Sequence, residues 1–192
     1  VLARAGGVPN VLTVHGGDLY DPSKFASPHR HPVLRTWVRS LLRRADAVIG
    51  QSRNTLENVR RFYDAGLEPV RIPALIRRPV PGTVLRSRYG LGERDVVLVT
   101  IGRLVARKAV DQLLELMRAF KGEAVQLVVI GSGPQAAALK PHAQEHGIAS
   151  QVKFVGQVEE AEKFALLRLA DLYVSTSQHE GFGLVFLEAM AC

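Results

Sequence analysis

Apolar and polar positions fall in alternating blocks along the chain. Val8–His15 (VPNVLTVH) reads as a buried strand running into a glycine loop, Gly16-Gly17, with Asp18 behind it. After a polar loop to about Pro32, VLRTWVRSLLRRA carries a helical period. Val33, Leu34, Trp37 and Leu41 gather on one side of that helix, and Arg35, Arg39 and Arg43 form a stripe on another. Ala47–Gly50 predicts a short strand, Asn54–Tyr63 a second helix, and Val70–Ala74 a third strand. Pro79, Pro81 and Gly82 then punctuate a linker to about Gly92, which sets the expected boundary between a unit of residues 1–85 and one of residues 86–192.

The second half alternates more regularly. Strands are expected at Val96–Ile101, Val125–Ile130, Val152–Val155 and Leu172–Ser175. Helices follow them near Val110–Phe120, through Glu145, near Glu159–Leu169 and from about Leu184. Apolar strands alternating with amphipathic helices predict an α/β fold, a parallel sheet wound on both faces. Ligands of such sheets lie at the carboxyl ends of the strands, and that is where the glycines and polar residues fall here.

Composition changes this picture in three respects. Hydrophobic residues make up 47% of the 192 residues and charged residues 22%, which is enough apolar matter for packed cores and excludes a disordered chain. The single cysteine, Cys192, excludes an internal disulfide framework and a multi-cysteine zinc site. No apolar run is long enough to cross a bilayer and no signal-peptide pattern opens the chain, so a cytoplasmic location, free or peripheral to the inner face of the membrane, is expected. Both ends lack start and stop signals, and the chain is read as an internal fragment.

Charge is uneven. Residues 1–90 hold 15 Lys and Arg against 6 Asp and Glu, whereas residues 91–192 hold 10 against 12. The basic half reads as a solvated arginine-rich surface or as a contact for an anionic membrane surface or an acidic acceptor. Nucleic acid is not expected, because the arginines are not interleaved with stacking aromatics.

Three segments carry candidate chemistry. Gly131-Ser-Gly-Pro-Gln-Ala136 matches a dinucleotide fingerprint, but it follows the second strand of its unit and no acidic residue ends the next strand. It reads as a tight strand-to-helix turn. Gly102-Arg103 to Lys108 places one cation just past a strand and another just before a helix. A planar arginine fork and a lysine point charge are what a diphosphate requires. The third segment runs from His179-Glu180 through Gly181, Phe182, Gly183 and Leu184 to Glu188. Its glycines allow close backbone approach, its helix start favours phosphate, and Glu188 can accept hydrogen bonds from the adjacent hydroxyls of a ribose. His179-Glu180 lacks a second histidine at helical spacing and is not a zinc motif.

With His15-Gly16-Gly17-Asp18, these segments resemble the retaining glycosyltransferases of family 4 (glycosyl transferases group 1) over nearly the whole chain. The resemblance implies the GT-B fold: two Rossmann-like domains, both incomplete here, facing across a cleft. It implies a donor site formed by Gly102, Arg103, Lys108, Glu180, Gly181, Phe182, Gly183, Leu184 and Glu188. Within it Glu188 would hold the nucleotide ribose, and Arg103 with Lys108 the diphosphate. Glu180 and the glycine backbone would meet the donor sugar. His15, Gly16 and Asp18 would lie on the acceptor side, with His15, Glu180, Arg103 and Lys108 nearest the reaction. The implied activity moves a sugar from a nucleotide sugar to a lipid, polysaccharide or small-molecule acceptor with retention of configuration, using neither metal nor cofactor. Ala109 departs from the family, which usually has glycine there. The alternative reading is a non-catalytic protein that binds nucleotide sugar or carbohydrate.

Overall fold

The computed structural model describes residues 7–22, 24–64, 66–76 and 82–192. The chain divides into two compact units, Val1–Leu75 with His179–Gly183, and Ile76–Gln178 with Leu184–Cys192. The linker prolines Pro79 and Pro81 lie outside the described residues.

The first unit contains β1 (Val11–Val14), α1 (Pro32–Arg44), β2 (Ala47–Gly50), α2 (Arg53–Tyr63) and β3 (Val70–Arg71). Its strands form a parallel sheet in the order β1-β2-β3, as strand-helix-strand connections require. Ser52 starts α2 by accepting a hydrogen bond from the Thr55 N–H at 3.0 Å. Val14, Leu42, Val48, Val59 and Tyr63 form the core. The buried Tyr63 hydroxyl is satisfied by donating to the Leu19 carbonyl at 2.6 Å. β3 is shorter than the Val70–Ala74 run predicts, because its partner strand β2 ends at Gly50, opposite Arg71.

Helix α1 buries a different face from the one its apolar stripe marks. Leu42 is 2% exposed and Val38 packs beside it, whereas Val33 is 80% and Trp37 61% exposed. Val38 follows Trp37 by one residue, a rotation of about 100° around the helix. The stripe of Val33 and Trp37 therefore faces solvent. Of the three stripe arginines, Arg39 is engaged by Asp64 at 3.2 Å.

The second unit contains β4 (Val96–Ile101), α3 (Val110–Arg118), β5 (Val125–Ile130), α4 (Ala136–Glu145), β6 (Val152–Gly156), α5 (Glu160–Leu169), β7 (Leu172–Tyr173) and α6 (Leu184–Met190). Its parallel sheet has the order β6-β5-β4-β7. Both faces are buried, and alternate residues serve opposite cores. Leu98, Leu127 and Val129 join α3 and α4 residues Leu114, Met117 and Leu139. Val97, Val99, Val128 and Ile130 join Phe164, Leu166 and Leu167 of α5. Here the α/β fold class predicted from the pattern holds strand by strand, except that β7 stops two residues early. The Val174 N–H still reaches the Val99 carbonyl at 2.8 Å, after which the chain turns away.

Strand order decides where a ligand can enter this unit. From β4 the chain proceeds outward through β5 and β6, then returns to the other side of β4 with β7. The carboxyl end of β4 is thus the topological switch point, where the loops on either side diverge and leave a crevice.

Candidate functional site

The loop after β4 begins with Gly102-Arg103-Leu104, and the loop after β5 with Gly131-Ser132-Gly133. The two are stitched together: the Leu104 N–H donates to the Ser132 carbonyl at 2.9 Å, and the Leu104 carbonyl accepts from the Gln135 N–H at 3.1 Å. Gly131 has φ +127°, and a Cβ on it would stand 2.0 Å from the Gly102 carbonyl oxygen. A Cβ on Gly133 would stand 2.3 Å from that of Leu104. These glycines let one strand-end loop lie against the next, which is the physical content of the Gly-x-Gly match. The Gly131 N–H extends the stitching to the Gly156 carbonyl at the end of β6, at 2.7 Å.

A cleft of about 780 Å³ opens along this edge, lined by Gly102, Arg103, Ser132, Gly133, Glu159 and Lys163 among others. Arg103 is exposed at its rim. Glu162, on the same wall, is bound to the Tyr89 hydroxyl and paired with Arg88 at 3.3 Å, so its charge is neutralised locally. Burial, reinforced by the hydrogen bond to Glu162, pushes the Tyr89 phenol up from its usual range.

Lys108 lines a smaller hollow at the switch point with Thr100, Gly102, Ser175 and Ser177. Its position is fixed by the backbone around it. Ala106–Lys108 forms a single 3-10 turn, and Ala109 then takes the left-handed conformation, φ 47°, before α3 begins. That conformation suits glycine: a Cβ there is strained, and Ala109 carries the strain. The Thr176 hydroxyl braces the turn from the β7 side, sharing its hydrogen between the carbonyls of Ala109 at 2.7 Å and Lys108 at 3.0 Å. The Gln178 N–H adds a bond to the Arg107 carbonyl at 2.8 Å.

Glu188 lies on α6 and reaches Lys163 of α5 at 2.8 Å, Nζ to Oε1, with side chains only 17% and 19% exposed. Lys163 itself lines the main cleft. Gly102, Arg103 and Lys163 are therefore gathered on one cleft, Glu188 is tied to it through Lys163, and Lys108 lies against Gly102: a Cβ there would be 3.1 Å from its Cε. Sequence reasoning does not single out Lys163. A lone lysine in the first turn of an amphipathic helix carries no motif, and only the α5–α6 packing gives it meaning. Leu184 opens α6 as expected.

The remaining expected residues belong to the first unit. Gly16–Asp18 is a single 3-10 turn, and the Asp18 carboxylate accepts from the His15 N–H at 3.2 Å, so Asp18 shapes the turn. The His15 side chain is exposed. Gly16, φ +34°, packs so closely on Gly181 that a Cβ would come within 2.5 Å of its Cα. Ser52 donates to the Gly181 carbonyl at 2.9 Å, and His179 Nε2 bonds the Tyr20 carbonyl at 3.1 Å with its ring edge-on to the Tyr20 ring. His15, Gly16, Asp18, Glu180, Gly181, Phe182 and Gly183 thus fall in one compact unit.

Comparison with known proteins identifies the family and the fold. Residues 83–192 match the family model "Glycosyl transferases group 1", and residues 1–73 match "Glycosyltransferase Family 4". A GDP-mannose-dependent alpha-(1-6)-phosphatidylinositol monomannoside mannosyltransferase of Mycolicibacterium smegmatis is 32% identical over 191 residues, 87% of this chain and 49% of its own. A glycogen synthase of Mycobacterium tuberculosis is 30% identical over 199 residues, covering 99% and 46%. Among solved structures, the sucrose-phosphate synthase of Thermosynechococcus elongatus superposes with a TM-score of 0.76 at 26% identity, covering 95% of this chain and 48% of that one. The solved neighbours have the GT-B fold. The chain spans about half the length of the curated relatives it matches. On the match of more than half its residues, the chain belongs to the glycosyl transferases group 1 family.

Proposed function

We propose that the protein containing this chain transfers a sugar from a nucleotide-diphosphate donor to an acceptor with retention of anomeric configuration, and that the second unit holds the donor. The observation that carries this reading is the cleft at the carboxyl edge of β4 to β6, with Arg103 on its rim and Glu188 tethered to its wall by Lys163. In this reading Arg103 grips paired phosphate oxygens, Lys108 supplies a second positive charge at the switch point, and Glu188 accepts from the ribose hydroxyls. Leu184, at the start of α6, offers its backbone to the donor phosphates, while Glu180, Gly181, Phe182 and Gly183, which the resemblance assigns to the donor sugar, fall in the first unit. His15 serves the acceptor side, with Gly16 and Asp18 shaping its turn.

Charge builds on the departing diphosphate as the glycosidic bond breaks. Fixed cations lower the barrier because they are oriented before the charge appears. Arg103 and Lys108 supply that role in place of a divalent ion, so the transfer runs without metal. The relatives are by name a phosphatidylinositol monomannoside mannosyltransferase, a glycogen synthase and a sucrose-phosphate synthase, which supports a lipid, a polysaccharide or a small molecule as acceptor class. The test is turnover of a panel of nucleotide sugars by the full-length protein. Glu188→Ala should abolish most activity while preserving the fold, and unchanged KM and kcat would refute the assignment.

A second element favours a membrane-bound acceptor. No helix among the described residues is long and apolar enough to cross a membrane. The exposed Val33 and Trp37 nevertheless share α1 with the exposed Arg35 and Arg43, in the basic half of the chain. An exposed apolar stripe with Arg43 on the adjoining face is suited to lie in an anionic lipid surface, which supports a protein peripheral to a membrane.

A further inference from the structure

Outside the cleft, three metal-ligating side chains converge on the second unit. His142 and His146 stand four residues apart, which places them on one face at the end of α4. Glu115 projects from the neighbouring helix α3. Its Oε1 lies 3.0 Å from His142 Nε2 and 3.1 Å from His146 Nε2, and the three ligand atoms all fall within 4.8 Å of one another. A tetrahedral zinc ion bound at about 2.0–2.1 Å would hold its ligand atoms about 3.3 Å apart, so both Glu115–histidine spacings already fit to a few tenths of an ångström, and rotation of the partly exposed imidazoles sets the histidine–histidine spacing.

We propose that Glu115, His142 and His146 form a binding site for a first-row transition metal, zinc being best suited, with a fourth position open to water. The donor set is one carboxylate and two imidazoles, a combination that favours zinc, copper or nickel over magnesium or calcium. All three side chains are partly exposed, so an ion can enter and retain one solvent ligand. His142 also sits in the last turn of α4 and His146 caps its end, where unsatisfied carbonyls favour positive charge.

The site lies away from the donor chemistry. α4 starts beside the Gly131–Gly133 loop at the strands' carboxyl edge and ends just before β6, so its last turn stands towards the opposite edge of the sheet. Beneath the three ligands, α3 and α4 already pack through Leu114, Met117, Leu139 and Ala143. A metal would clamp the solvent rim of that seam. Arg118 opposes it: its guanidinium holds the other Glu115 oxygen, Oε2, at 2.5 Å and would compete with the ion for the carboxylate.

The test uses the tag-free, chelator-stripped chain, titrated by calorimetry with ZnCl2 and CoCl2, with thermal melts alongside. One equivalent should bind, and saturation at a hundred times Kd should raise Tm by about 5–10 °C. His142→Ala and His146→Ala should each weaken binding roughly tenfold or more, while His31→Ala leaves it unchanged. Arg118→Ala should tighten it, which a merely adventitious histidine contact would not show. Absence of a saturable equivalent, or equal binding by the folded His142→Ala/His146→Ala double variant, would overturn the proposal. The result is independent of glycosyl transfer, because it is read from heat and melting alone.

Discussion

Lys163 on α5 holds Glu188 on α6 by a charged hydrogen bond of 2.8 Å, and both side chains are more than four-fifths buried. The pair fixes one carboxylate oxygen and leaves the other for a ligand. At this burial, removing one partner strands the other charge, which costs more than the loss of a surface ion pair. Lys163→Met should therefore weaken nucleoside diphosphate binding several-fold, and less than Glu188→Ala. Isothermal titration of both single variants and the double variant gives the coupling. Strict additivity of the two losses would show that the bridge does not position the carboxylate.

The stitched loops at the strand ends make a prediction about stability. Gly133→Ala would drive a Cβ into the Leu104 carbonyl, and both groups are backbone, so neither can swing aside. The cost should be at least about 2 kcal/mol, in the range of overpacked cores. Chemical denaturation monitored by circular dichroism checks it, with Gly17→Ala as a control, since Gly17 has no left-handed φ and nothing lies within 4 Å of a Cβ there.

Alkaline stability depends on Tyr63. Burial pushes its phenol up from about 10 to about 12. The folded state therefore favours the protonated form, and the stability this contributes is intact below pH 10 and lost as pH rises towards 12. Denaturation midpoints measured from about pH 8 to about pH 12 should fall across that upper window. In Tyr63→Phe, which also loses the bond to the Leu19 carbonyl, stability should be lower by about 1 kcal/mol near neutral pH but flatter at alkaline pH.

The exposed stripe on α1 predicts lipid binding. Sedimentation with vesicles containing anionic phospholipid should carry the protein down at low salt and release it as salt rises. Trp37→Ser should reduce binding several-fold without lowering Tm, since the ring is 61% exposed. Equal recovery with neutral vesicles would contradict the reading.

How much of this can be read from sequence depends on the kind of signal. β4 and β5 are legible to the residue because both faces are buried and Val96–Ile101 and Val125–Ile130 are nearly continuous apolar runs. β3 and β7 are shorter than their apolar runs because an apolar residue continues a pattern whether or not a partner strand remains. The face of α1 differs from expectation for a related reason: Val33, Trp37 and Leu41 have the correct period, but period does not say which stripe meets the sheet. Arg103 is recoverable from its place just past a strand. Lys163, Glu162 and the Glu115–His142–His146 cluster are not, because each depends on a partner brought near only by tertiary packing. The Gly131–Gly133 turn reads as a tight strand-to-helix turn, and the reason for its glycines, contact with the β4 loop, is visible only in three dimensions.

The central claim is that the edge of β4 to β6 holds a nucleotide diphosphate. It is tested most directly by titrating UDP, GDP and ADP, and the matching nucleosides without phosphate, into the chain and its Arg103→Ala variant. At least one diphosphate should bind saturably, and Arg103→Ala should weaken it by roughly ten- to a hundredfold, the worth of a charged hydrogen-bonding group. The nucleosides should bind weakly and be indifferent to the substitution. Equal affinity of the folded variant and the parent chain for the diphosphate would contradict the account.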